Sequence, residues 1–483
     1  MANPPLLRPE KRVLPTLNED GTRRWLKPKH APGRYDRARK LVGWSLIVLF
    51  VGLPFLRVGG YPAVWLNLPA RQFVMFGKVF LATDTEVLLL GMLSVFVAVF
   101  LLSALLGRVW CGWGCPQTVY MELVYRPIER FADRMTKRSR GRRQGLATTL
   151  KYVAFLLVSM GLAHTFLAYF VSVDELAVWM LSSPFEQPVH FLIMAGTVGL
   201  MMFDFAYFRE QMCTVVCPYA RLQSALLDKH SLIVGFDRRR AEPRGKGAAK
   251  ELKRKLPMVQ RRHGDCIDCS ACVAACPAGI DIRDGLQLEC IACAQCVDAC
   301  DNVMQRLGAP TGLIRYSSQA ALEDGEETKL LRVRTVVYPL LLVGLLGGLA
   351  VAVASHGASE VEVLRGTGAP FTVESNVVRN QVRVRVANRT DETQRYTIEV
   401  MGPEGTELIA PINPLPVAPH ETESAQVFVL APQGQFVGGD LQVKIVVSSG
   451  EFREERPFRL LGPMGSGVVR AGKVRATPPR LSR

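Results

Sequence analysis

Long uncharged apolar runs alternate along this chain with basic polar stretches, and after Ser355 they give way to short segments with period-two alternation. Residues 41–56, 87–107, 152–173, 189–203 continued by 204–208, and 335–355 approach or reach the roughly 20 mostly apolar residues that cross a bilayer as a helix. The first and fourth runs are the shortest, so Arg57 and Asp204 must snorkel or be enclosed in protein. Five such runs fit a membrane better than the core of a soluble protein. Beyond them, 361–364, 377–387, 394–401, 425–430 and 441–447 read as strands, separated by turn signals at 388–391 and 402–405. About 100 residues of this kind predict a small antiparallel sandwich of immunoglobulin type, without a catalytic cluster and therefore with a binding or structural role.

Charge orients the spans. Residues 1–40, 108–151 and 209–334 are rich in Lys and Arg, whereas 174–188 carries Asp174, Glu175 and Glu186 and no base. The positive-inside rule then places the amino terminus and the long insert in the cytoplasm and everything after Ser355 outside. The formal charge of +16 follows from this topology. The basic runs at Arg238–Arg240 and Lys253–Lys255, with Arg261 and Arg262, read as cytoplasmic loops facing anionic lipid, and no nucleic-acid partner is expected. The first 40 residues lack the apolar core and small-residue cleavage site of a signal peptide, so the first span is expected to direct insertion.

The expected fold is a multi-domain membrane protein: an α-helical bundle of five transmembrane helices, a cytoplasmic two-cluster ferredoxin-like insert and a C-terminal all-β immunoglobulin-like sandwich. Its parts are a cytoplasmic segment 1–40, a four-helix membrane region 41–230, the insert 231–334, a fifth span 335–355, an outer domain 356–462 and a flexible tail 463–483.

Twelve cysteines supply the candidate chemistry, all between Cys111 and Cys300. None lies beyond Ser355, where an oxidising compartment would allow disulfides. Eight fall in one spacing written twice, C-x2-C-x2-C-x3-C: Cys266, Cys269, Cys272 and Cys276, then Cys290, Cys293, Cys296 and Cys300. This is the ligand pattern of bacterial ferredoxins with two 4Fe-4S clusters, in which the fourth cysteine of each motif serves the other cluster. Cys266, Cys269, Cys272 and Cys300 are thus expected at one cluster, and Cys290, Cys293, Cys296 and Cys276 at the second. Zinc knuckles call for paired C-x2-C units, which the triplets fit poorly.

The other four close two matching C-x3-C-P motifs, Cys111 and Cys115 before Pro116, and Cys213 and Cys217 before Pro218, each at the cytoplasmic end of an even-numbered span. This reads as an internal repeat of helical hairpins. On a helix the x3 spacing puts both side chains on one face, and side-by-side packing of the hairpins would bring four thiols together. Four thiolates suit Cu(I), zinc or a further iron-sulfur cluster; the alternative is small cysteines packed between helices. Of the scarce histidines, His164 lies well inside a span and His190 near the end of another, without the facing pair that haem wants, so packing is the expectation for His164.

The order of parts resembles the CcoG family, also called FixG or RdxA, membrane polyferredoxins that accompany assembly of cbb3-type cytochrome oxidase. The matching residues are Leu68-Pro69-Ala70-Arg71 with Phe76-Gly77, Cys111-Gly112-Trp113-Gly114-Cys115-Pro116-Gln117, Cys213 to Cys217 with Pro218-Tyr219-Ala220-Arg221, the ferredoxin pair, and Asn380-Gln381-Val382 through Asn388-Arg389-Thr390. The resemblance implies a bacterial cytoplasmic-membrane protein with its clusters inside and its C-terminal domain in the periplasm. It implies reduction of Cu(II) to Cu(I) in the cytoplasm, with copper transporters, chaperones and the oxidase assembly machinery as partners. Cys111, Cys115, Cys213 and Cys217 would be the catalytic thiols, holding copper or a third cluster. Two alternatives share these features: a quinol-oxidising polyferredoxin feeding a periplasmic reductase, whose relatives generally lack the outer sandwich, and a redox-sensing assembly scaffold.

Overall fold

The computed structural model describes residues 15–18, 22–81, 84–137, 142–255, 257, 260–327, 331–355 and 357–464. The first 14 residues of the expected N-terminal segment and residues 465–483 of the expected tail lie outside them. The chain divides into two units, Met1–Lys78 with Asp84–Ala352, and Val79–Thr83 with Val353–Arg483.

In the first unit, five helices among the described residues are long and apolar enough to cross a membrane: Arg34–Phe55, Thr85–Leu106, Gly145–Val171, Pro188–Phe208 and Val333–Ala354. Their outward faces carry Leu89, Met92, Phe96, Leu192 and Leu340, all exposed, as lipid-facing surfaces do. The first helix begins at Arg34, well before its apolar run. Asp298, from the helix Gln295–Leu307, accepts hydrogen bonds from the backbone N–H of Tyr35 (3.3 Å) and Asp36 (2.7 Å), satisfying donors that a helix start leaves orphaned. After the first span, Val64–Asn67 and Gln72–Met75 form an antiparallel hairpin, and the Trp65 indole N–H donates to Phe170 O on the third span (3.2 Å).

The second and fourth spans end alike. Thr85–Leu106 stops at Gly107 (φ 57°, ψ −126°), and the π-helical turn Phe203–Phe208 stops at Arg209 (φ 54°, ψ −120°). This backbone conformation is natural for glycine and costly for a residue with Cβ. Arg209 is retained there because its buried guanidinium holds Glu129 with two hydrogen bonds, at 2.6 and 3.3 Å.

Between the fourth and fifth spans the insert closes on an antiparallel pair, Ile233–Phe236 with Ile314–Ser317. These strands pack on the helices Ala271–Ala275 and Gln295–Leu307, with Val234, Ile280, Ile282, Val297, Met304 and Leu313 buried between them.

The second unit is a β-sandwich. One sheet runs Glu407–Ile409, Thr422–Pro432, Val377–Asn388, Ser359–Arg365, with Thr372–Glu374 also paired to Val377–Asn388. The other runs Leu415–Val417, Gln394–Met401, Asp440–Ser449, Phe452–Leu461. Alternate residues of both sheets, among them Val382, Val384, Tyr396, Ile398, Val427 and Ile445, form one core. All five expected strands are present.

Candidate iron-sulfur and thiol sites

Each ferredoxin-type motif folds its first three cysteines around a cavity by the same backbone device. The residues on either side of the second cysteine are left-handed in both repeats: Asp268 and Ser270 (φ 54° each) around Cys269, and Ala292 (φ 50°) and Ala294 (φ 59°) around Cys293. None is glycine, so each repeat stores strain at the site. A helix follows, of 5 residues in the first repeat and 13 in the second, and carries the third cysteine, Cys272 or Cys296.

The fourth cysteines cross over. One cavity is lined by Cys266, Cys269, Cys272 and Cys300, with Phe236, Met304 and Leu313 among its apolar walls. A second is lined by Cys290, Cys293 and Cys296 together with Cys272 and Cys276, with Val234, Ile280 and Ile282 around them. The first cavity thus receives three thiols from its own motif and one from the other, and the second receives three from its own motif and both Cys272 and Cys276 from the other. Among the described residues no group of three or more His, Cys, Asp and Glu is arranged to hold a metal ion. A cubane spreads its ligands around four irons rather than one, so cavities ringed by thiols with apolar walls fit the donor set of a 4Fe-4S cluster. Burial pushes the thiols up, Cys272 and Cys290 to about 11 and Cys276 and Cys300 to about 12. Their protons leave when a metal takes their place.

The two C-x3-C-P motifs also repeat one geometry. Cys111 lies in the short helix Val109–Trp113 and Cys213 in the π-helical turn Met212–Val216. Cys115 and Cys217 are extended and each precedes a helix, Pro116–Tyr120 or Pro218–Leu226, with proline at its first position. The backbone N–H of each second cysteine donates to the carbonyl five residues back: Cys115 to Trp110 (2.9 Å) and Cys217 to Met212 (2.8 Å). The x3 spacing therefore does not place each pair on one continuous helix. Proline drives the preceding residue out of the helical region, and the chain breaks at the second cysteine.

The members of the quartet still lie within electrostatic reach of one another. Burial raises Cys111, Cys115 and Cys213, the last to about 12, and charge on neighbouring members of the quartet adds to the rise. Cys111 donates from Sγ to Gln223 Oε1 (3.0 Å). The fully buried Gln223 is fixed in turn by donating from Nε2 to Tyr219 OH (2.6 Å) and Ser103 Oγ (3.1 Å).

This thiol site abuts the second cavity. Cys111 packs with Ile291 and Cys293 in one buried cluster. A Cβ on Gly112 would stand 2.5 Å from Ile291 O and 2.8 Å from Cys293 Cα, so only glycine permits the approach. Arg39 Nε donates to Gly112 O (3.0 Å), the Trp113 indole donates to Tyr316 OH (2.9 Å), and Tyr316 OH donates to Ala292 O.

Beside the contact lies a buried charge network that the sequence reading did not identify. Arg126 bridges Glu122 and Glu210, and Gln295 Nε2 donates to Glu122 Oε2 (3.2 Å). Burial pushes the Glu122 carboxyl up, but Arg126, Arg39 and Arg130 together hold it below the usual carboxylate range. A further cavity is lined by Gln117, Glu122, Arg126, Arg209, Glu210 and Cys213 together with Pro277, Ala278 and Ile291. His164, by contrast, is half-buried and its Nδ1 lies 2.6 Å from Met160 O of its own helix.

Comparison with known proteins agrees with these sites. A family described as "4Fe-4S dicluster domain" matches residues 208–319, one described as "4Fe-4S binding domain" matches 88–139, and one described as "IG-like fold at C-terminal of FixG" matches 349–463. Protein RdxB of Cereibacter sphaeroides is 34% identical, over 84% of this chain and 89% of its own length. Protein RdxA of the same organism is 31% identical, over 84% and 89%. Nitrogen fixation protein FixG of Rhizobium meliloti is 30% identical, over 92% and 94%.

Proposed function

We propose, for a chain that belongs to the FixG/RdxA family and is a membrane-associated iron-sulfur electron-transfer protein, that its relay ends at the four membrane-edge thiols, where Cu(II) is reduced to Cu(I). The contact between the two sites carries this reading: Gly112 lets the Cys111 loop lie directly against Ile291 and Cys293. Cys266, Cys269, Cys272 and Cys300 would hold one 4Fe-4S cluster and Cys276, Cys290, Cys293 and Cys296 the other, supplying one-electron storage in each cavity.

The chain's own residues do the rest. Cys111, Cys115, Cys213 and Cys217 offer soft sulfur, which favours Cu(I) over Cu(II) and so stabilises the product of a one-electron reduction. Gln223 fixes the orientation of the Cys111 thiol. Because burial raises Cys111, Cys115 and Cys213, copper captured as thiolate displaces protons, and capture strengthens as pH rises. The positive-inside rule supports a cytoplasmic side for this chemistry and a periplasmic sandwich. Cu(I) would pass from there to transporters and chaperones that load a cbb3-type oxidase.

A second reading rests on the match of a 4Fe-4S binding family to residues 88–139, whose only cysteines are Cys111 and Cys115. There the quartet holds a third cluster. Iron analysis separates the two: about eight irons per chain from two cubanes, or about twelve if the thiols hold another. For copper reduction itself, dithionite-reduced protein freed of excess reductant is mixed with Cu(II), and Cu(I) is read with a chelating dye. The Cys111, Cys115, Cys213 and Cys217 to Ser variant should form Cu(I) far more slowly, and an equal rate refutes the assignment.

A further inference from the structure

Of the twelve cysteines, only Cys269 is exposed. It belongs to the first cavity, whereas the second cavity's loop is pressed against the membrane-edge motif through Ile291 and Cys293. The solvent-facing approach to the relay is therefore at Cys269.

The sequence 238–262 leads into the motif that carries Cys269. It holds eleven Lys and Arg against Glu242 and Glu251, a net charge of +9. Three of its described residues are bonded to the start of the first motif. Asp265 N donates to Arg240 O (2.9 Å), Gly245 N donates to Cys266 O (3.1 Å), and Arg261 Nη1 donates to Asp265 Oδ1 (2.6 Å). Arg238, Arg244, Lys246, Lys250, Lys253 and Arg254 are exposed, as are Asp268, Cys269 and Ser270.

We propose that this basic face is the docking surface for an acidic one-electron carrier protein, which delivers its electron beside Cys269. This rests on reading the chain as an electron carrier and names the class of its donor. A positive surface around the one exposed cysteine concentrates negatively charged partners and orients them, raising their association rate by about 10- to 1000-fold at low salt. The transfer moves one electron: the carrier is oxidised, the chain is reduced, and no bond forms or breaks. An anionic lipid surface shares the same charge preference, but it gives no reason for the basic segment to be bonded to the motif that carries the exposed cysteine.

The test uses full-length protein in nanodiscs of zwitterionic and of anionic lipid, with oxidised, acidic plant-type [2Fe-2S] ferredoxin as the probe. Its Kd is measured across a salt series for the native chain, for K246E/K250E/R254E, and for the exposed-site control K29E/R134E/R306E. The patch variant should bind about 10-fold more weakly at low salt in both lipids, with the gap closing at high salt and the control near native. The reduced ferredoxin should also reduce the variant more slowly, while dithionite-driven Cu(I) formation stays native. Equal binding by native and patch variant, equal losses in variant and control, or an effect confined to anionic discs overturns the proposal. Native ferredoxin docking without copper reduction would instead refute the copper reading and leave the docking surface standing.

Discussion

Replacing Gly112 by alanine tests the junction between the two sites. The new Cβ would lie 2.5 Å from Ile291 O and 2.9 Å from Cys293 N, and ordinary contact begins at 3.4 Å. The loops must therefore part by about 0.9 Å, since backbone atoms cannot swing aside as a side chain would. Such overpacking costs about 1–3 kcal/mol and weakens the seam held by Arg39, Trp113 and Tyr316. Misplacement by about 1 Å far from the chemistry can cost on the order of 100-fold in rate. Stopped-flow mixing of chemically reduced protein with Cu(II) reads reoxidation of the iron-sulfur absorbance together with Cu(I) formation. Gly112→Ala should retain its iron and its reduced-state EPR spectrum yet slow both signals together, by about 10-fold or more. Native rates in a variant with intact spectra would show that electrons do not cross at this contact.

Cys276→Ser should perturb the EPR signal of the cluster assigned to Cys290, Cys293 and Cys296 and spare the other, and Cys300→Ser the reverse; loss confined to each residue's own motif would contradict the crossed ligand sets. Glu122→Leu leaves Arg126 buried with one partner fewer and should destabilise the chain by about 3–5 kcal/mol, read by denaturant unfolding in detergent. Because the folded Glu122 carboxyl lies below its unfolded value, its contribution is complete above the usual carboxylate range and is lost as pH falls through the depressed value. Native stability should therefore fall on acidification in that window, while the Glu122→Leu curve stays flatter. In the sandwich, Asn388 donates from Nδ2 to Glu392 O (2.8 Å), Val417 O (3.1 Å) and Ala418 O (3.1 Å). Asn388→Ala should cost about 1–3 kcal/mol and raise protease sensitivity near that turn, and an unchanged digestion pattern would count against it.

The features legible in the sequence were those with short-range causes. The eight-cysteine spacing is a local constraint, and its crossed grouping into two cavities is what C-x2-C-x2-C-x3-C implies. The five apolar runs and the alternating valines of Val377–Asn388 announce themselves by period and length. The strand Phe452–Leu461 escaped because its sequence FREERPFRLL carries charges and a proline, the marks of an edge strand facing water. The C-x3-C-P repeat pointed to neighbouring thiols, but its helix break did not register, although Pro116 and Pro218 were its signal. The Glu122, Arg126 and Glu210 network joins residues up to 88 positions apart, each of which alone reads as an ordinary charge on a cytoplasmic loop. Gly112 likewise looks like a turn glycine until Ile291 and Cys293 are seen against it. Matching the two span ends could have flagged Arg209, which stands where the other hairpin has Gly107.

The most direct test of the relay is a single-turnover experiment on protein reduced beforehand and freed of reductant. On adding Cu(II), iron-sulfur reoxidation and Cu(I) appearance should share one rate constant and a one-to-one electron yield, and the variant lacking all four membrane-edge thiols should keep its clusters reduced. Reoxidation by Cu(II) at the native rate in that variant would contradict the account.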